Sequence, residues 1–187
     1  MIIPYSQLIN SWHLKASDED YFSKFVFEYM AFNAFLMKIK YVDSRSDRHA
    51  IQRLKRDENV KSDYLNLMLN ISGPTRSWVI IQKELNRAPL GNTSRRGEGV
   101  EELAWWNCSY DANNQKKEED NKKPIGVLHD HHDWENMVEF WYAIRNNLFH
   151  GTKDPQNARD QLLVEHGYKT LRTLMDMFIS DRSLGSR

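Results

Sequence analysis

Thiols are almost missing from this chain, which has one cysteine, Cys108, in 187 residues. A lone cysteine forms no internal disulfide and provides no cluster for zinc, as expected of a protein in a reducing compartment. An excess of charge is missing too, because 26 basic side chains balance 26 acidic ones. No global attraction to nucleic acid or to an anionic membrane follows, so any nucleic-acid site must be a local patch. The longest apolar run, "FVFEYMAFNAFLM", contains Glu28 and Asn33 and falls short of the roughly 20 residues that span a bilayer. The start, "MIIPYSQLINSWHLK", lacks the basic region and long apolar core of a secretory signal. These absences predict a soluble, cytoplasmic protein with no membrane partner. Period-two alternation of apolar and polar residues is also scarce, which argues against sheets.

Helical periodicity is what remains. From Ser17 a hydroxyl and three acids suit a helix cap and first turn, since they face unpaired amides and the positive helix end. Phe22, Phe25, Val26, Tyr29, Phe32, Asn33 and Leu36 then recur at helical spacing, predicting a long buried helix over about 18–41. "SDRHAIQRLKRD" places Ile51 and Leu54 on one side, and "VKSDYLNLMLNIS" reads as a helix ended by Gly73 and Pro74. Further helices are expected over Trp78 to Leu85, over 98–107, from a cap at Asp130 or Asp133 towards Leu148, and after Pro155, where Gly167 is a candidate break. Residues 109–124, polar and charged, read as a mobile loop. The expectation is an all-α class: a single helical domain over 1–187, a bundle with a long polar loop between its middle helices.

The chemistry concentrates in "YAIRNNLFHG", residues 142–151. Arg145 offers a permanently charged planar fork suited to phosphate, and His150 a group able to give and take protons near neutrality. Such a pair suits RNA cleavage without a metal. The 2′-hydroxyl attacks the adjacent phosphorus while a base takes its proton, an acid protonates the departing 5′-oxygen, and a cation stabilises the intermediate. One histidine cannot conveniently serve as acid and base together, so a twofold homodimer carrying two copies around one cleft is implied. Five residues of ideal helix turn through about 500°, about 140° net, which puts Arg145 and His150 on different faces. If the helix ends near Leu148 and Gly151 turns the chain, His150 can fold back, with Leu148 and Phe149 anchoring the turn in the core and Asn146 orienting the histidine or a phosphate oxygen. The plainer reading is a basic residue in the last helical turn, facing the negative helix end.

"RNNLFHG" resembles the Arg-x4-6-His signature of the HEPN superfamily, in which the residue after the arginine is usually polar, as Asn146 is. The aromatic "FVFEYMAFNAFL" is similar to the first core helix of HEPN proteins of bacterial toxin and defence systems. The resemblance implies an all-α bundle that dimerises across the motif helices, with metal-independent endoribonuclease activity leaving cyclic phosphate ends. It assigns catalysis to Arg145, Asn146 and His150, calls for no cofactor, and implies RNA, a second copy of the chain and a nucleotidyltransferase-like antitoxin as partners. HEPN domains also serve as non-catalytic interaction or RNA-binding modules, which is the rival expectation.

Other features carry weaker signals. Arg159 and His166 repeat the loose spacing outside the motif's setting. Asn33 is expected to bond to backbone inside an apolar face. His129, His131, His132 and Asp133 are metal-ligand types without a fixed ligand spacing, so a solvated cluster is expected. Arg45, Arg48, Arg53, Lys55, Arg56, Arg87, Arg95 and Arg96 could track RNA phosphates, and Trp105, Trp106, Trp134 and Trp141 could stack on bases, although Trp141, on the core stripe, is expected in packing or a dimer contact.

Overall fold

A computed structural model describes residues 4–90, 126–130 and 132–184. Those residues are helical with no strand among them, so the chain is all-α. The elements are α1 (Tyr5–Lys15), α2 (Tyr21–Phe35) continued by a π-helical turn (Leu36–Lys40), α3 (Asp47–Lys55), α4 (Glu58–Asn70), α5 (Ser72–Arg87), α6 (Trp134–Phe149) and α7 (Ala158–Leu184). The short helix expected over 98–107, the loop expected over 109–124, Arg95, Arg96, Trp105 and Trp106 all lie outside the described residues. The two flanks of that segment meet, since the Leu90 N–H donates to the Gly126 carbonyl at 2.9 Å.

Local chemistry explains three of the helix starts. Asp20, rather than Ser17, caps α2, its carboxylate accepting from the amides of Phe22 and Ser23 at 2.9 and 3.3 Å. Ser46 caps α3 by accepting from the His49 amide at 3.1 Å, and Asp57 caps α4 by accepting from Val60 at 3.1 Å. Gly73 and Pro74 do not end α4. They sit in the first turn of α5, where a proline's missing N–H is no loss because first-turn amides lack partners anyway. Gly167 likewise does not break α7, which runs through it. A side chain there would meet Phe140 and Phe25, each at 3.3 Å, so the residue permits close packing rather than a bend. α1 is a helix beyond those expected, and of its residues only Ile9 and His13 are buried.

The middle of the bundle is aromatic. Trp141 of α6 meets Trp78 of α5 at 5.4 Å, Tyr64 of α4 at 5.9 Å and Trp134 at 6.2 Å between ring centroids. These rings remove large apolar areas from water, and every polar tip finds a partner. Trp78 Nε1 donates to Tyr64 Oη, Tyr64 Oη to the Thr170 carbonyl and Trp141 Nε1 to Thr170 Oγ1, each at 3.0 Å. Trp141 packs as expected. Trp134, offered above as a base-stacking ring, is instead buried with Nε1 donating to the Leu54 carbonyl at 3.1 Å, so it cannot reach a ligand.

Candidate functional site at the end of α6

The last turns of α6 carry Arg145, Asn146 and His150. The helix extends to Phe149, one residue past the expected stop, and His150 is still hydrogen-bonded in α-helical fashion, its amide donating to the Asn146 carbonyl at 2.9 Å. The left-handed turn comes only at Gly151, φ 67°, after the histidine. His150 therefore does not fold back towards Arg145. Helical geometry leaves the two about 140° apart around the axis, with His150 exposed and its ring without a partner among the described residues. Leu148 packs against the core as expected, but Phe149 is 62% exposed.

Arg145 is half-buried among side chains of three elements. Its Nη1 donates to Asn146 Oδ1 at 2.8 Å, and its Nη2 lies 3.5 Å from Asp47 Oδ2 in the first turn of α3. The guanidinium stands 4.9 Å from the Phe149 ring centroid and 5.8 Å from that of Tyr29 on α2, within cation–π range of both. The Asp47 contact is long for a hydrogen bond, and both side chains are 29% exposed, so the ion pair is weak and breakable. Among the described residues, most of the five guanidinium donors stay available. Asn146 is buried and serves the arginine, not the histidine. Burial drives the Tyr29 phenol far above its ordinary range against the opposing pull of Arg145, so it remains an O–H donor.

One turn and a half before Arg145, Glu139 fixes α3 to α6. Its oxygens accept from Lys55 Nζ at 3.0 Å and Arg48 Nη1 at 2.8 Å. Burial alone would raise the Glu139 carboxyl, but the two cations outweigh it and hold it below the usual carboxylate range. This ion cluster positions the α3 start, and with it Asp47, over Arg145. It also removes Lys55 from the phosphate-tracking candidates, since that side chain is buried against Glu139. Arg53 pairs with Asp43, and Arg87 with Glu84. Arg48 additionally covers the Tyr142 ring at 5.0 Å.

The remaining candidates have structural surroundings. Arg159 is held by Glu84 Oε1 at 2.8 Å and by the Ala88 carbonyl, tying α7 to α5, and His166 Nδ1 faces Ser77 Oγ at 3.1 Å. Asn33 is half-buried and, contrary to expectation, its side chain forms no hydrogen bond among the described residues. The His129 amide donates to Asp133 Oδ2 at 2.9 Å, and His131 lies outside the described residues. Among the described residues no three His, Cys, Asp or Glu side chains gather as metal ligands would, and no helix is long and apolar enough to cross a membrane. A groove of about 640 Å³ between α4 and α5 and another of about 410 Å³ between α5 and α7 are lined by neither Arg145 nor His150.

No protein-family model, curated protein or solved structure matches the chain. Spacing alone missed Tyr29 and Asp47 as neighbours of Arg145. Tyr29 read as one more aromatic of a core stripe, and Asp47 as one polar residue of "SDRHAIQRLKRD"; no local signal ties either to a residue about 100 positions away.

Proposed function

We propose that the chain is a metal-independent endoribonuclease of HEPN type, acting as a homodimer in the manner of a toxin or antiviral defence effector. The observation that carries this reading is an arginine with most of its donors uncommitted and an exposed histidine, unpartnered among the described residues, at the end of one helix, inside the motif "RNNLFH". In this reading Arg145 binds and polarises the scissile phosphate, with Asn146 setting the fork's orientation. His150 accepts the 2′-hydroxyl proton or donates to the departing 5′-oxygen. Because the two side chains diverge around the helix axis, each Arg145 would work with the His150 of a second copy, and a twofold axis beside α6 brings such pairs together. Exposed Phe149 offers apolar area for that contact.

The test expresses wild type, Arg145→Ala and His150→Ala and measures RNA integrity in the presence of a chelator. Cleavage by the wild type alone supports the reading, and equal integrity in all three rejects it. The Asp47 contact favours a second reading, a non-catalytic HEPN-type module in which Arg145 is a structural cation. That reading expects Arg145→Ala to lower stability while RNA stays intact throughout.

A further inference from the structure

Two polar atoms beside Arg145 are buried without a partner among the described residues: Tyr29 Oη and Asn146 Nδ2. Their residues are 4% and 2% exposed, and a polar group left in this state costs free energy that a fold rarely leaves uncompensated. The amide orientation is not arbitrary. Arg145 donates to Asn146 Oδ1 at 2.8 Å, so turning the amide over would set donor against donor, and Nδ2 is left as the free end. The Tyr29 ring lies under the guanidinium, and the charged groups that act on its hydroxyl are Arg145, Asp47 and Glu139. Glu139 already accepts from Lys55 and Arg48. The surroundings of Arg145 are thus rich in donors, with an arginine fork, an amide and a phenol, while the acceptor facing the fork, Asp47 Oδ2, is only loosely engaged at 3.5 Å, its Oδ1 accepting from the Arg48 amide at 2.7 Å. A donor set of this kind, closed by a weakly held and partly exposed cation, matches the oxygens of a phosphate.

We propose that Tyr29 is a further phosphate-binding residue of this site: its hydroxyl and the Asn146 amide are donors reserved for a phosphate oxygen that enters beside Arg145 in place of the Asp47 carboxylate. The proposal rests on Arg145 as the phosphate-binding residue of the ribonuclease reading, but not on cleavage itself. Asp47 then holds the fork in place while the site is empty and gives way to the phosphate.

The test titrates the full chain with inorganic phosphate, following the Arg145 side-chain N–H signal by NMR in wild type, Tyr29→Phe and Asp47→Asn, with melting temperatures measured alongside. The expected result is saturable binding that weakens about tenfold in Tyr29→Phe, the loss expected for one hydrogen bond to a charged acceptor, and tightens in Asp47→Asn. Phenylalanine keeps the ring and removes an unpaired hydroxyl, so the melting temperature of Tyr29→Phe is expected to hold or rise. A purely structural tyrosine hydroxyl would instead give a lower melting temperature in Tyr29→Phe and an unchanged affinity. Equal affinity in wild type and Tyr29→Phe, as a buried water on the hydroxyl would give, overturns the proposal, as does the absence of saturable binding in wild type. RNA cleavage, assayed separately, judges the ribonuclease reading: phosphate binding that depends on Tyr29 without cleavage leaves this site standing and removes that reading.

Discussion

Replacing Glu139 by glutamine keeps the side-chain shape and deletes one charge from the cluster that holds α3 against α6. Lys55 Nζ, with its side chain 3% exposed, then loses a carboxylate at 3.0 Å, and its remaining acid is Glu135 at 3.8 Å, itself 40% exposed. Removing one partner of a buried pair costs about 3–5 kcal/mol, because the other charge is left desolvated. Glu135 offsets part of that, so the expected loss for Glu139→Gln is about 3 kcal/mol in urea unfolding at neutral pH. Replacing both buried partners by apolar residues, Glu139→Leu with Lys55→Met, should recover most of the loss, since the buried ammonium goes with its acid and Arg48, which also loses Glu139, is 43% exposed to water. The pH dependence has a definite sign. The folded Glu139 carboxyl is held below the ordinary 4.5, so its contribution is present above that value and disappears as pH falls through the folded one. The gap between wild type and Glu139→Gln must therefore narrow in acid. A difference under about 0.5 kcal/mol at neutral pH, the range of an ordinary surface substitution, or a gap that widens in acid, would refute the reasoning.

Three further outcomes follow from the packing. His13 bridges Glu28 at 2.7 Å and Asp176 at 3.0 Å; burial opposes its charge, but the two carboxylates outweigh burial and raise it above the ordinary 6.5. Its contribution is full below 6.5 and lost as pH rises through the folded value, so urea stability of wild type should fall relative to His13→Leu as pH climbs above neutrality, and a pH-independent difference would contradict this. Gly167→Val forces a side chain against Phe25 and Phe140, already 3.3 Å from a Cβ, and should cost about 1–3 kcal/mol by overpacking, read from the denaturation midpoint. Tyr64→Phe leaves Trp78 Nε1 and the Thr170 carbonyl without the hydroxyl that joins them, with an expected loss of about 1–3 kcal/mol in the same assay.

Much of the architecture is legible in residue order alone. Helical period, capping acids and the scarcity of alternation determine the all-α class and the places of α2, α4 and α6, because these depend on contacts within a few residues. The reading fails where two local rules compete. Gly73 and Pro74 are stop signals by composition, yet a proline is equally at home in a first turn, and the burial of Trp78 and Ile81 decides in favour of the longer helix. Gly167 has the residue type of a break, but α7 runs on through it with Phe25 and Phe140 packed close against it.

The candidate site divides along the same line. Sequence by itself determines that Arg145, Asn146 and His150 stand at a helix end before a left-handed glycine, since motif and turn are local. Only the tertiary structure decides that His150 stays in helical register and turned away from Arg145, because Gly151 acts one residue too late to redirect it. Tertiary structure alone also brings Tyr29 and Asp47 to the arginine, through α2 packing in the core and a Glu139–Lys55–Arg48 cluster that pins α3. Those neighbours are set by burial and charge between helices far apart in the chain, and no spacing within one helix encodes them.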